Sequence, residues 1–444
     1  MACENRGASD PREVTGERKV FYGWFVVAAA FTVTLVGFGS AYSFSAFVES
    51  LQKDFGASRG SVALIFSFAG FLYFGLGVIT GPLADRWGSR RLAITGMLLT
   101  ALGLIAASFA RNLDEVYLAY GLGVGLGVGC AYVPSLGAVQ RWFIKRRGFA
   151  SGLAVSGIGV GTLVTPPLAA FLIATMGWRH AYLTLGILAA IIGGGMALLI
   201  ESDPHRRGLN PDNSPGAAAA KSGAPGSTPD ALSLTNSAAR TPTGVLAGVS
   251  IRDAIRSRRF IGLYATCLVS SFGLFVPFVH LTPYALDHGV PQSSAVFLVS
   301  VIGIGSTAGR FFLGGLADRL GRRPALLLMF VGMALAEVLW ILSGSLWPLA
   351  VFAFSYGVFY GGFVALLPAL VMDYFGGRNI SGLIGILYTS VGFGTLVGPS
   401  AAGFAFDIGH SYAVPILASI GANLVAAALL AATTKPGAEP LPET

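Results

Sequence analysis

Four ionisable side chains interrupt long apolar stretches in the second part of the chain: His280, Asp287, Arg310 and Glu337. Of these, Arg310 lies deepest in its stretch, about midway between Ser293 and the basic turn that follows. If the stretch crosses a bilayer, burying that charge costs at least about 2.5–3.5 kcal/mol, so the side chain should face a cavity and have a partner. A guanidinium offers a planar fork of donors that suits a carboxylate. We therefore predict that Arg310 binds a carboxylate group, with an ion pair to Glu337 as the alternative.

The other three groups are candidates for proton binding. His280 lies within VPFVHLTPYALDHG and is predicted to be a polar group of the same cavity, or else a hydrogen-bonded packing residue. Asp287 lies near the end of that stretch, where a solvated loop carboxylate is the alternative. Glu337 belongs to a different apolar stretch, and a structural role is the alternative there.

Tyrosines could complete a site for an organic acid, since a phenol can hydrogen-bond a second carboxylate oxygen or a hydroxyl group. Packing or a position in an interfacial belt is the alternative for each. The candidates, each in a separate apolar stretch, are Tyr42, Tyr132, Tyr284, Tyr360 and Tyr388.

The elements that must hold these residues are membrane-spanning helices. Only 11% of the 444 residues are charged and 54% are hydrophobic, which is too apolar for a soluble fold of this length. The runs are continuous and about 20 residues long, as a spanning helix requires, rather than alternating as in a β-barrel. We predict an all-α membrane protein with twelve transmembrane helices in two pseudo-symmetric six-helix bundles. The predicted divisions are an N-terminal tail (1–20), a first bundle (21–200), a linker (201–259), a second bundle (260–432) and a C-terminal tail (433–444).

Charge distribution predicts the orientation. The net charge is +8, and most Lys and Arg residues fall in the tails, the linker and alternate short turns. This positive-inside bias predicts that both termini are cytoplasmic, in a cell inner membrane, and argues against nucleic-acid binding. The three cysteines show no metal-like spacing, and no nucleophile–base set or phosphate loop is recognisable, so we expect no metal, no cofactor and no enzyme activity.

The two bundles repeat one another. GPLADRWGSRR begins at Gly81 and GGLADRLGRR at Gly314, 233 residues later. GTLVTPP and GTLVGPS, from Gly161 and Gly394, are separated by the same 233 residues. A duplicated unit around a central site is a recurring plan of secondary transporters.

The GxLADRxGxRR segments resemble the signature of the major facilitator superfamily. In that family, the aspartate and arginines of this turn form a latch between helices that stabilises one conformation. A basic turn that only fixes topology is the alternative. The resemblance assigns a gating role to Asp85, Arg86, Arg90, Asp318, Arg319 and Arg322.

Further motifs resemble the monocarboxylate transporters and the bacterial oxalate–formate antiporters. They are WFIKRRGFASGLAVSGIGVG, YGWFVV, and AGRFFLGGLADR around Arg310. The resemblance makes Arg310 the carboxylate anchor and Asp287 the acid that changes protonation with it. Relatives carry an aspartate where this chain has Ser306, and lysines where it has Tyr42 and Val391. The last difference favours a substrate with a single carboxylate.

The resemblance implies a secondary active transporter. It would move a small monocarboxylate or related organic anion by alternating access together with a proton, as a monomer in the lipid bilayer. An organic-anion exchanger is the alternative, followed by a membrane sensor that binds the acid without moving it. The identity of the acid stays open among lactate, pyruvate, an aromatic acid and larger anions.

Overall fold

The computed structural model describes residues 21–143, 146–213, 249–376 and 379–433. The predicted N-terminal tail, most of the linker and all but one residue of the C-terminal tail lie outside this part of the chain. Within it, the regular elements are helices and there is no strand. The long helices are α1 (Gly23–Tyr42 and Phe44–Phe55), α2 (Arg59–Gly75 and Gly77–Trp87), α3 (Ser89–Ser108), α4 (Leu113–Trp142), α5 and α6 (together Gly148–Ala197), α7 (Arg258–Leu274 and Val276–Asp287), α8 (Gln292–Leu320), α9 (Arg322–Ile341), α10 (Leu346–Phe375), α11 (Ile380–Gly409) and α12 (Ala413–Thr433).

Helices α5 and α6 form one helical run of 50 residues, so the described chain holds eleven runs long and apolar enough to cross a membrane. The run is broken at Gly177, whose φ of 80° and ψ of 161° are not helical. The break falls in the interval predicted between two spans. The prediction of an all-α membrane protein with twelve helices is confirmed.

Three helices are interrupted near their midpoints. The breaks are at Ser43 in α1, Leu76 in α2 and Phe275 in α7. In α7, Pro277 follows the break, and proline has no N–H with which to continue the hydrogen-bond ladder. The breaks of α1 and α7 are 232 residues apart, almost the spacing of the sequence repeat, so the two bundles share this bend as well as their motifs.

The repeated turns also match. Gly88 and Gly321 adopt φ values of 90° and 87°, in the region that favours glycine, immediately before α3 and α9. Tight turns are therefore built at both copies of the motif, as its glycines predict.

Several arginines of the gating motif make contacts within their own bundle. Arg90 donates to Glu201 at 3.0 Å and to the carbonyl of Ile200. Arg322 pairs with Asp373 and donates to the carbonyl of Ala369 at 2.8 Å. The other two arginines of the motif, Arg86 and Arg319, are exposed. The side chains of the two motif aspartates, Asp85 and Asp318, lie outside the described part of the structure, so the predicted latch stays a prediction.

The two bundles meet along two helix pairs, α2 with α11 and α5 with α8. Glycines allow the close approach: a Cβ on Gly303 of α8 would lie 2.7 Å from the backbone nitrogen of Leu163 in α5. We call the face where the segment after α6 joins α7 the linker face, and the other the opposite face.

Candidate functional site

Arg310 lies at the junction of the two bundles. It is carried by α8, is only 8% exposed, and donates from Nη1 to the carbonyl of Val155 in α5 at 3.1 Å. Its Nε and Nη2 have no hydrogen-bond partner among the described residues. Glu337, the alternative partner considered from sequence, pairs elsewhere. The guanidinium therefore keeps donors available inside the protein.

Four of the five predicted tyrosines surround Arg310, within electrostatic range of its charge. They come from both bundles and line one central cavity: Tyr42, Tyr132, Tyr360 and Tyr388. The hydroxyls of Tyr42 and Tyr360, one from each bundle, are 3.2 Å apart. Those of Tyr132 and Tyr388 also interact across the junction. Their hydroxyls provide a polar patch beside the arginine.

The rest of the cavity is apolar. Phe38, Phe74, Phe275 and Phe363 contribute rings to its wall. Its volume is about 30 Å³, room for little more than a water molecule. No charged side chain lines it within the described residues. An organic anion could enter only after the bundles move apart.

The positions at which this chain departs from its relatives are also at the centre. Tyr42 and Val391 both line the cavity. Ser306, one helical turn before Arg310, is buried, and its hydroxyl has no partner among the described residues. These positions therefore shape the region around the guanidinium.

His280 does not line the cavity. Its Nε2 lies 2.7 Å from the carbonyl of Pro399 and its Nδ1 lies 3.1 Å from the hydroxyl of Tyr412. A carbonyl can only accept, so Nε2 carries a hydrogen, and in the neutral ring Nδ1 accepts from Tyr412. This is the packing role that the sequence left as the alternative.

Tyr284 also lies away from the cavity. Its hydroxyl donates to the carbonyl of Ser343 at 2.8 Å, and its ring packs on His288 and Trp340 near the opposite face. This tyrosine therefore braces α7 against the end of α9.

Glu337 is fully buried inside the second bundle. Its Oε2 accepts from Asn423 of α12 at 3.0 Å, and the carbonyl oxygen of Asn423 accepts from Ser270 of α7 at 2.9 Å. Oε1 has no partner among the described residues. The group ties three helices of one bundle together and does not reach the cavity.

Asp287 forms part of a cluster at the opposite face. Its two carboxylate oxygens accept from Nη1 and Nη2 of Arg59 at 2.6 and 2.7 Å. Arg59 also donates to the hydroxyl of Tyr412 and lies 4.0 Å above the ring of Phe406. Asp287 therefore interacts with the first bundle and does not contact Arg310.

Asp407 adds a second connection between the bundles. Its oxygens accept the backbone N–H groups of Arg59 and Gly60 at 2.9 and 2.8 Å, which caps the start of α2 from the end of α11. Burial raises the pKa of the nearby Tyr412 to about 12, although Arg59 acts to lower it. Tyr412 thus keeps its proton at neutral pH and can donate it to His280.

The packing of the helices agrees with this cluster. At the opposite face, the second segments of α1 and α7 pack against each other. Within the described residues, α4 and α10 make no comparable contact towards the linker face. The bundles are therefore sealed at the opposite face.

Sequence reasoning did not single out Arg59 or Asp407. A signal was present, because Arg59 begins a helix and Asp407 lies in the last turn of one, each at the unfavourable end of the helix dipole. Such a placement indicates a partner from elsewhere in the fold. It does not reveal which residue that partner is.

Comparison with known proteins is consistent with this arrangement. A family model described as Major Facilitator Superfamily matches residues 29–319 and 261–444. Monocarboxylate transporter 11 of Mus musculus is 31% identical over 397 residues, covering 87% of this chain and 81% of that protein. Monocarboxylate transporter 3 of Rattus norvegicus is 30% identical, covering 96% and 83%. Monocarboxylate transporter 2 of Homo sapiens is 29% identical, covering 92% and 84%.

Proposed function

Because the chain belongs to the major facilitator superfamily, in its monocarboxylate transporter-like branch, we propose that it moves a small monocarboxylate across a cell's inner membrane by alternating access. The observation that carries this proposal is the buried Arg310, with Nε and Nη2 unpartnered beside four tyrosine hydroxyls. The names of the relatives supply the substrate class.

In this proposal the carboxylate binds to the open edge of the guanidinium. Nε and Nη2 lie on one edge of the fork and match the two oxygens of a carboxylate. A hydroxyl of the Tyr42–Tyr360 or Tyr132–Tyr388 pair can turn from its partner to the anion. Since these pairs join the two bundles, binding of the anion and movement of the bundles are coupled.

The cycle starts from a molecule sealed at the opposite face. With the linker face in the cytoplasm, as the positive-inside bias predicts, the Arg59–Asp287–Asp407 cluster closes the external side. Opening that side requires these contacts to break. The cavity is then exposed to the outside, and closure returns the bound anion to the inside.

Proton coupling belongs to the proposal through Asp287. Protonation would remove its charge and weaken its bond to Arg59, so that a lower external pH favours opening of the external side. Asp407, Tyr412 and His280 face the same arginine and share its charge. Proteoliposomes test this: an inward proton gradient should accelerate uptake by the parent protein, and Asp287→Asn should abolish the acceleration.

Anion exchange is the second candidate. It is favoured by the absence of a carboxylate side chain bonded to Arg310 among the described residues, so no acid directly compensates the anchor. Uptake that depends on an internal organic anion and ignores the proton gradient would establish exchange in place of symport.

The anchor is tested by uptake of radiolabelled lactate and phenylacetate into proteoliposomes. Arg310→Ala should abolish uptake of every acid that the parent carries, whereas Arg310→Lys should retain some binding through its charge. Arg111→Ala is the control, because Arg111 is exposed at the opposite face. Unchanged uptake by Arg310→Ala would show that the anchor is wrong.

A further inference from the structure

The central cavity is lined mainly by aromatic rings. Thirteen residues form its wall and eight of these are phenylalanine or tyrosine, so a molecule held there is surrounded by ring faces and edges. The other five are aliphatic: Ile158, Leu274, Val364, Leu367 and Val391. We propose that the preferred substrate is an aromatic monocarboxylate, such as an arylacetate, with its ring between these side chains and its carboxylate on Arg310.

The rings of the two bundles contact one another directly. Tyr42 of α1 lies 4.7 Å from the ring centroid of Phe278 in α7. Phe74 of α2 lies 5.4 Å from Phe275 and 6.0 Å from Tyr388 in the second bundle. Several of these pairs are tilted or edge-to-face, the geometries that aromatic rings prefer.

These contacts must separate when the bundles move apart. An aromatic ring of the substrate, placed between the two sets, restores ring contacts to both of them. A saturated ring of the same size fills the space but lacks the edge and face charges that give such pairs their geometry. The moving surfaces therefore favour an aromatic substrate over a saturated one.

The polar groups of the wall limit the rest of the substrate. They are the tyrosine hydroxyls, which pair with one another and lie beside Arg310. A second carboxylate would find no further cation among the described lining residues. A hydroxyl group away from the anchor would lose its water without gaining a partner. The substrate body should therefore be apolar.

This inference rests on the proposed function, and competition experiments separate the two. Uptake of radiolabelled phenylacetate into proteoliposomes is measured against unlabelled phenylacetate, cyclohexylacetate and lactate. Phenylacetate should compete about three- to tenfold better than cyclohexylacetate and at least tenfold better than lactate. Equal competition by the two ring acids, or stronger competition by lactate, would overturn the inference and leave monocarboxylate transport in place. Loss of all monocarboxylate uptake would overturn the proposed function itself.

Variants locate the preference. Phe275→Leu removes a ring that bridges the two sets and should reduce the phenylacetate-to-cyclohexylacetate ratio to about one, with Arg310 intact. Phe171→Leu is the matched control, since Phe171 is 63% exposed on α5, and should keep the parent ratio. A parent ratio retained in Phe275→Leu would contradict the assignment of these rings. The ratio in the parent protein decides the substrate class even if Phe275→Leu does not fold.

Discussion

Arg59 and Asp287 form a two-pronged ion pair between the bundles, with Nη1–Oδ2 and Nη2–Oδ1 distances of 2.6 and 2.7 Å. Arg59 begins α2 of the first bundle and Asp287 ends the α7 helix of the second. Their side chains are 17% and 33% exposed, so water screens the pair only in part. The pair is joined by the cap that Asp407 places on α2. Together these contacts hold the opposite face closed.

Loss of the pair should make the opposite face open more often. We expect Arg59→Gln to cost the closed state about 1 kcal/mol, which corresponds to about fivefold more opening, because the pair is partly screened. The measurement is the rate of maleimide labelling of Ser45→Cys in a chain whose native cysteines are replaced. Ser45 lines a pocket at this face together with Arg59.

The control is an ion pair of the same kind that does not join the bundles. Arg179 pairs with Asp54 at 2.7 Å, at the same face but within the first bundle. Arg179→Gln should therefore leave the labelling rate close to that of the parent. Equal labelling in the two variants would mean that Arg59 does not hold the bundles together.

A small side chain between α2 and α11 should prevent closure. A Cβ on Gly403 of α11 would lie 2.7 Å from the Cα of Gly60 in α2, which cannot move without its helix. We expect Gly403→Ala to raise the Ser45→Cys labelling rate several-fold and to slow net uptake. Gly409→Ala, at a position with no atom within 4 Å of the added carbon, should label and transport like the parent. A slow labelling rate in Gly403→Ala would contradict the closed packing of this face.

A second cation in the cavity should admit a dicarboxylate. Val391 lines the cavity, where no charged side chain occurs among the described residues. We expect Val391→Lys to improve competition by oxalate at least about tenfold, because each carboxylate then has a charged partner. Val391→Met changes the size without the charge and should not bind oxalate. If oxalate remains excluded from Val391→Lys, the cavity is not where the anion binds.

Glu337 should prove dispensable for proton coupling. Its Oε2 accepts from Asn423, and the amide oxygen of a glutamine can accept the same bond. We expect Glu337→Gln to keep gradient-stimulated uptake within about twofold of the parent, while Asp287→Asn loses the stimulation. The measurement is initial uptake with and without an inward proton gradient. Loss of stimulation in Glu337→Gln, with exchange retained, would assign coupling to the second bundle instead.

The twelve helices and their duplication could be read from the sequence alone. Exposure to lipid is a property of each stretch of about 20 residues, so hydropathy locates the helices without knowledge of their neighbours. The paired turns are local too, and Gly88 and Gly321 adopt the positive φ that their motif predicts. The run through Gly177 shows the limit, because composition does not reveal that two spans join without an intervening loop.

The sequence also indicated Arg310, because a deeply placed charge is costly and requires a cavity or a partner. Tyr42, Tyr132, Tyr360 and Tyr388 were candidates from their positions, and the structure brings all four beside it. Their role in binding stays a prediction.

Only the tertiary structure decided which candidates share a site. His280 and Tyr284 lie on the same helix as Phe275, yet they face Pro399 and Ser343 while Phe275 faces the cavity. The rotation of a helix about its own axis is fixed by its packing against neighbours, and hydropathy does not report it. The closure at the opposite face depends on packing still more. Arg59 meets residues 228 and 348 positions away, and such contacts exist only after both bundles have assembled.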